Sequence, residues 1–156
     1  MKIKFLLVVS LLSVAVIFSV NLTAQYIKPK RADLPPAVQK TTYKVSKGAT
    51  VRGYEYEIQD GKVDYIVELT VRGHSKNVTI ALDGTVLEIE EEVVMATLPA
   101  AVREGLQREA GKGTINKVES LTKNGKLVLY EATVVTGSKQ SEIEIRLDGR
   151  SLSHKK

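Results

Sequence analysis

Leu34-Pro35-Pro36-Ala37-Val38 returns 64 residues later as Leu98-Pro99-Ala100-Ala101-Val102. At the same spacing Thr50-Val51 becomes Thr114-Ile115, and Asp60-Gly61-Lys62 becomes Asn124-Gly125-Lys126. Further on, at a spacing of 65, Tyr65 meets Tyr130 and Leu82-Asp83-Gly84 meets Leu147-Asp148-Gly149. A duplication in register is the strongest constraint a chain of this length can carry, because both copies must adopt one supersecondary unit. The slip from 64 to 65 marks one inserted residue in the second copy, most simply beside Leu127. The repeats span 34–97 and 98–156. A unit of about sixty residues is marginal alone, so the two are expected to pair or pack as one structure.

Each repeat opens with a helix, since proline is tolerated in a first turn whose N–H groups have no helical partner. In the second copy Leu98, Ala101, Val102, Leu106 and Ala110 fall on one apolar stripe, stopped by Gly111 and Gly113. The first copy carries Val38, Tyr43 and Val45 and ends near Gly48. Strands follow. Val63, Tyr65, Val67, Leu69 and Val71 alternate with polar neighbours at period two, and Val78, Ile80, Leu82, Leu87 and Ile89 continue the pattern. Ahead of them Tyr54, Tyr56 and Ile58 alternate with Glu55 and Glu57, and a change of phase at Gly53 predicts a bulge. The second copy buries Val128, Tyr130, Ala132 and Val134, then Ile143, Ile145 and Leu147. Asp/Asn-Gly pairs between the runs suit hairpin turns. The expected class is α+β: two tandem helix-plus-antiparallel-sheet repeats, each α-β-β-β with room for a fourth strand, the helices packed on one sheet face.

Ahead of the repeats, Lys2 and Lys4 precede the apolar run Phe5–Val20 and the polar Asn21-Leu22-Thr23-Ala24, the pattern of a secretory leader over 1–24. The competing reading, an uncleaved anchor, is disfavoured because the run is short for a bilayer and interrupted by serines. A basic tether, 25–33, follows. The expected location is therefore periplasmic or secreted, with no stable membrane insertion after cleavage. Residues 34–97 hold 7 basic and 10 acidic side chains, residues 98–156 hold 11 and 7. Halves of opposite sign belong to interaction surfaces rather than to a nucleic-acid footprint, which needs clustered cations with stacking aromatics. Cysteine and tryptophan are absent and only His74 and His154 are present. The chain has no HExxH, GxSxG or phosphate-loop pattern. The expectation is a non-enzymatic protein with no cofactor and no metal site, with His74 in the connection Arg72–Lys76 and the run Glu88, Glu90, Glu91, Glu92 a solvated strand end.

The Leu-Pro-x-x-Val helix, the Asp/Asn-Gly-Lys turn, the tyrosine-bearing strand and the strand ending Leu-Asp-Gly together resemble the PepSY-like domains. More narrowly they resemble the β-lactamase-inhibitor-like subset of secreted bacterial proteins, over residues 34–156. That resemblance implies a helix-plus-antiparallel-sheet fold, an exported setting, and binding or inhibition of another protein, proteases among them. It carries no residue with a chemical role, since its matching positions pack and turn.

The sheet face turned away from the helices is the candidate binding surface. It is expected to present Glu55, Glu57, Ile66, Glu68 and Arg72 from the first copy, and Glu131, Thr133, Glu142, Glu144 and Arg146 from the second. Ile66, Ala81, Leu129 and Val135 would add apolar area there. The expected partner is an exported or envelope protein. The alternative function is binding of a small ligand or cation by the acidic first repeat.

Overall fold

The computed structural model describes residues 28–59 and 61–152. The leader, Asp60 and His154 lie outside the described residues. Among those described, no helix is long and apolar enough to cross a membrane, a statement that does not extend to β-barrels.

The first repeat forms α1 (Pro36–Val45), β1 (Thr50–Gln59), β2 (Lys62–Val71), β3 (His74–Ala81) and β4 (Val86–Glu92). The second forms α2 (Ala100–Ala110), β5 (Thr114–Lys123), β6 (Lys126–Thr136) and β7 (Lys139–Arg146). The seven strands make one antiparallel sheet in sequence order, β1 to β7. Pairing of β4 with β5, from Glu88 opposite Lys123 to Glu92 opposite Glu119, fuses the two copies. Among the described residues the second copy shows, in place of a fourth strand, a single bridge between Ile145 and Ser151.

Both helices lie on the same sheet face over separate cores. Leu34 and Val38 bury against Val67, Leu69, Val78 and Ile80. Leu98, Val102 and Leu106 bury against Val118, Tyr130, Ala132 and Ile145. Each fully buried aliphatic side chain contributes roughly 1.5–3 kcal/mol of transfer free energy. Neither helix has a side-chain N-cap, because proline occupies that position in both. Instead Gln39 donates to the Leu34 carbonyl at 2.8 Å and Arg103 donates to the Leu98 carbonyl at 2.7 Å. These residues are 64 apart, so the two copies fasten the chain entering each helix in the same way.

The second helix is seated by close backbone approach. Gly105 faces the Gly149 carbonyl in the turn after β7, and a Cβ at 105 would collide with that oxygen and lie 3.0 Å from Ile145 Cγ2. The stripe expected for α2 included Ala101, which is exposed, and omitted buried Gly105; closeness of a neighbouring backbone, rather than hydrophobicity, decides that position. In α1 the expected Tyr43 is 62% exposed and Thr42 is buried instead. Helical phase decides this: Thr42 lies one turn on from Val38, on the same face, whereas Tyr43 falls a further ~100° round, on the solvent side.

The expected bulge is present, with Arg52 as the extra residue between Val51 and Gly53; a second, between Ile115 and Lys117, repeats it 64 residues on. That second bulge breaks the alternation of β5, which explains why periodicity alone did not mark this strand. The inserted residue of the second copy is Val128, unmatched between Leu127 and Leu129, which face Thr122 and Leu121, so Val128 is exposed rather than buried as expected.

The β2–β3 connection is tighter than expected. Arg72 and Gly73 form a two-residue turn at positive φ, 51° and 89°, so His74 is the first residue of β3. A left-handed arginine is unfavourable where asparagine is tolerated. Arg72→Asn is therefore expected to raise stability by about 0.5 kcal/mol in denaturant titration. Gly105→Ala, despite improving helix propensity by up to about 1 kcal/mol, is expected to lower stability by about 2 kcal/mol through overpacking against Gly149.

Candidate functional site

Among the described residues the helices cover one face and leave the other open across the seven strands, and the register places its side chains in cross-strand rows. One row runs Gly53, Glu68, Asn77, Glu90, Leu121, Leu129, Arg146. A second runs Glu55, Ile66, Thr79, Glu88, Lys123. A third, on β4 to β7, is Glu92, Glu119, Glu131, Glu144, with Lys117, Thr133 and Glu142 beside it. Leu121 and Leu129 are directly opposed and only 8% exposed each, although neither belongs to a helix-side core. The face therefore has a covered apolar centre within a glutamate-rich surround.

The third row sets four carboxylates on adjacent strands, about 4.8 Å apart by strand spacing. Directly opposed like charges are destabilising by roughly 0.2–1 kcal/mol per pair. Some members are compensated. Glu119 pairs with Lys117 at 2.8 Å. Glu92 accepts the Ser75 backbone N–H at 2.9 Å and its hydroxyl at 3.1 Å, and Nδ1 of His74 lies 3.4 Å away. The Ser75 amide holds the Glu92 carboxyl below the usual carboxylate range. Glu131, between Glu119 and Glu144, is pushed up to about 7 by partial burial and then by Glu142, Glu90, Glu119 and Glu144. Glu90 is raised as well, mainly by burial, against a lowering hydrogen bond from Asn77.

The first copy's part of the face is concave. Glu55, Glu57, Glu68, Glu88 and Glu90 surround a cavity of about 200 Å³ with Ile66, Asn77 and Thr79 between them. Gly53 opens its edge, since a Cβ there would lie 2.7 Å from Glu68 Oε2. Two cations reach the carboxylates: Lys123 pairs with Glu88 at 2.8 Å, and Lys28 of the tether pairs with Glu55 at 2.9 Å. The two partners differ in burial, the Lys28 side chain being 76% exposed and that of Glu55 only 18%. A larger cavity, about 530 Å³, lies at the far end of the sheet beside Val63, Tyr65 and Leu82, and its lining is mostly apolar. Among the described residues no group of three or more His, Asp or Glu side chains is arranged to hold a metal ion.

Nine of the ten residues expected on the open face lie there: Glu55, Glu57, Ile66, Glu68, Glu131, Thr133, Glu142, Glu144 and Arg146. Arg72 does not, because the two-residue turn lifts it out of the strand. Sequence reasoning missed the middle of the face. Glu88, Glu90 and Glu92, expected as a solvated strand end, stand at the junction of the copies, while Glu91 alternates away to pair with Lys76 at 3.1 Å. Glu88-Ile89-Glu90 already carried the alternation that could have placed them.

No known protein family matches the sequence, and no curated protein matches it. Solved structures do share the fold. A protein described as periplasmic from Bacteroides eggerthii superimposes with a TM-score of 0.63 at 18% identity, covering 77% of this chain and 86% of that one. A BLIP-like protein from Bacteroides fragilis gives 0.57 at 22% identity, over 77% and 84%. A DUF2874 family protein from Bacteroides ovatus gives 0.61 at 19%, over 78% and 86%. This chain thus shares its fold with these three proteins.

Glu131 gives the face a pH signature. Its folded carboxyl holds a proton up to about pH 7, whereas the unfolded chain releases it near the ordinary glutamate value. Its contribution is complete below that ordinary value and is lost as pH rises through 7. Glu131→Gln is expected to raise stability by about 1 kcal/mol at pH 8, discounted for solvent screening, and to change little at pH 4, as read by thermal melts across that range.

Proposed function

We propose that the protein is an exported, non-enzymatic binding module of the PepSY-like, β-lactamase-inhibitor-like type, which regulates another exported protein, such as a protease, by docking it on the open sheet face. The observation that carries the reading is the continuous face of seven strands that the helices leave uncovered among the described residues, with like-charged glutamates placed side by side across the seam between the copies. A sheet built only for stability would intersperse charges of both signs. Here Lys117 and Lys123 offset Glu119 and Glu88, yet Glu131 still stands between Glu119 and Glu144, a departure from local stability rules of the kind found at functional sites. The charged leader with its apolar run supports export, and solved structures of this fold include proteins described as periplasmic and one described as BLIP-like.

Photo-crosslinking in a bacterial envelope tests the reading. A photoreactive residue at Thr79 or Thr133, both on the open face, is expected to give a discrete crosslinked adduct. The same residue at Lys44 or Gln107, exposed on the helices, is expected to give none. Adducts from the helix positions alone, or from none of the four, would overturn it.

A further inference from the structure

Resting on that docking face, we propose that its concave first-repeat part takes an arginine or lysine side chain of a basic protein partner, and that Lys28 of the tether holds the rim of this seat in the free protein. The shape of the seat is the first argument. At about 200 Å³ it falls below the roughly 300–1,000 Å³ of small-molecule pockets, and it matches one long side chain. Ile66 offers an apolar wall to an aliphatic stem, while Glu55, Glu68, Glu88 and Glu90 surround the position of a charged head. Long cationic side chains bury their stems and keep their charged ends among polar groups in this way.

Charge complementarity is the second argument. The whole chain is net +5, yet this part of the surface is lined by carboxylates, so the negative field is concentrated where the fold leaves the sheet uncovered. Such a face attracts a basic partner and repels acidic ones. The third argument is that cations of the chain itself already sit there, Lys123 on Glu88 at 2.8 Å and, more loosely held, Lys28 on Glu55. Lys28 Nζ is 2.9 Å from Glu55 Oε1, and Glu55, then Glu68, raise the lysine's proton affinity. Because Lys28 is 76% exposed, that contact is weakly held and readily exchanged for a better-buried cation.

Binding of a fluorescent arginine-rich peptide to the full exported chain tests this, with the same peptide carrying citrulline for arginine as the uncharged control. The arginine peptide is expected to bind with an affinity that falls as salt rises, and the citrulline peptide at least tenfold more weakly. Glu68→Gln with Glu88→Gln should weaken binding at least tenfold, whereas Glu104→Gln with Glu109→Gln, exposed on α2 and away from the open face, should change it less than threefold. Lys28→Ala should strengthen binding about threefold. Thermal melts confirm that each variant is folded, and removal of clustered carboxylates is not expected to lower the melting point. Equal binding of both peptides, equal losses from the two glutamate pairs, or a cavity variant that alters only self-association would overturn the proposal. Crosslinks from Thr79 or Thr133 without arginine-peptide binding would refute the cationic seat alone; absence of those crosslinks would refute the docking face itself.

Discussion

Everything on the open face depends on the pairing of β4 with β5. Without it the molecule would be two small sheets, each with an exposed edge at the junction. The ladder extends past its strands, with the Val93 N–H donating to the Val118 carbonyl and the Asn124 N–H to the Leu87 carbonyl, both at 2.9 Å. Since side chains alternate along each strand, this register also decides what faces outward. It turns Ile89 toward the first core and sets Glu88, Glu90 and Glu92 in line with Lys123, Leu121 and Glu119. A slip of one residue would bury the acids and expose the isoleucine.

Stability and recognition are separated between the two faces. The helix side holds two distinct aliphatic clusters, one per copy, and these supply the burial that folding requires. The other side carries the opposed carboxylates, whose mutual repulsion the cores can tolerate because each pair costs only a fraction of a buried side chain's contribution. The raised proton affinity of Glu131 and Glu90 reflects partial burial first and that repulsion second.

The duplication, the order of helix and strands and most of the inward positions were legible because spacing and period-two alternation are properties of the chain itself. The bulge near Gly53 and the inserted residue beside Leu127 were legible for the same reason, as breaks in phase. What could not be read depended on neighbours distant in sequence. Gly105 matters through the Gly149 backbone. Arg72 left the face because its turn has two residues rather than a longer loop. The Glu88–Glu92 run looked like solvated charge until pairing with β5 gave it a place in the middle of a sheet.

The helix-to-turn contact shows how far the copies have diverged while keeping one task. In the first, the Thr41 hydroxyl donates to the Gly84 carbonyl at 2.7 Å. In the second, the matching position is Gly105, which lets the Gly149 carbonyl approach the helix directly, and Arg108 reaches in to donate at 2.8 Å. The two solutions are not interchangeable: a chimera with α2 grafted above the first half-sheet would bring an arginine where a threonine had sufficed, and the reverse graft would drive a side chain into backbone. Duplication supplied matching blueprints, but each helix has since become a key cut for its own lock.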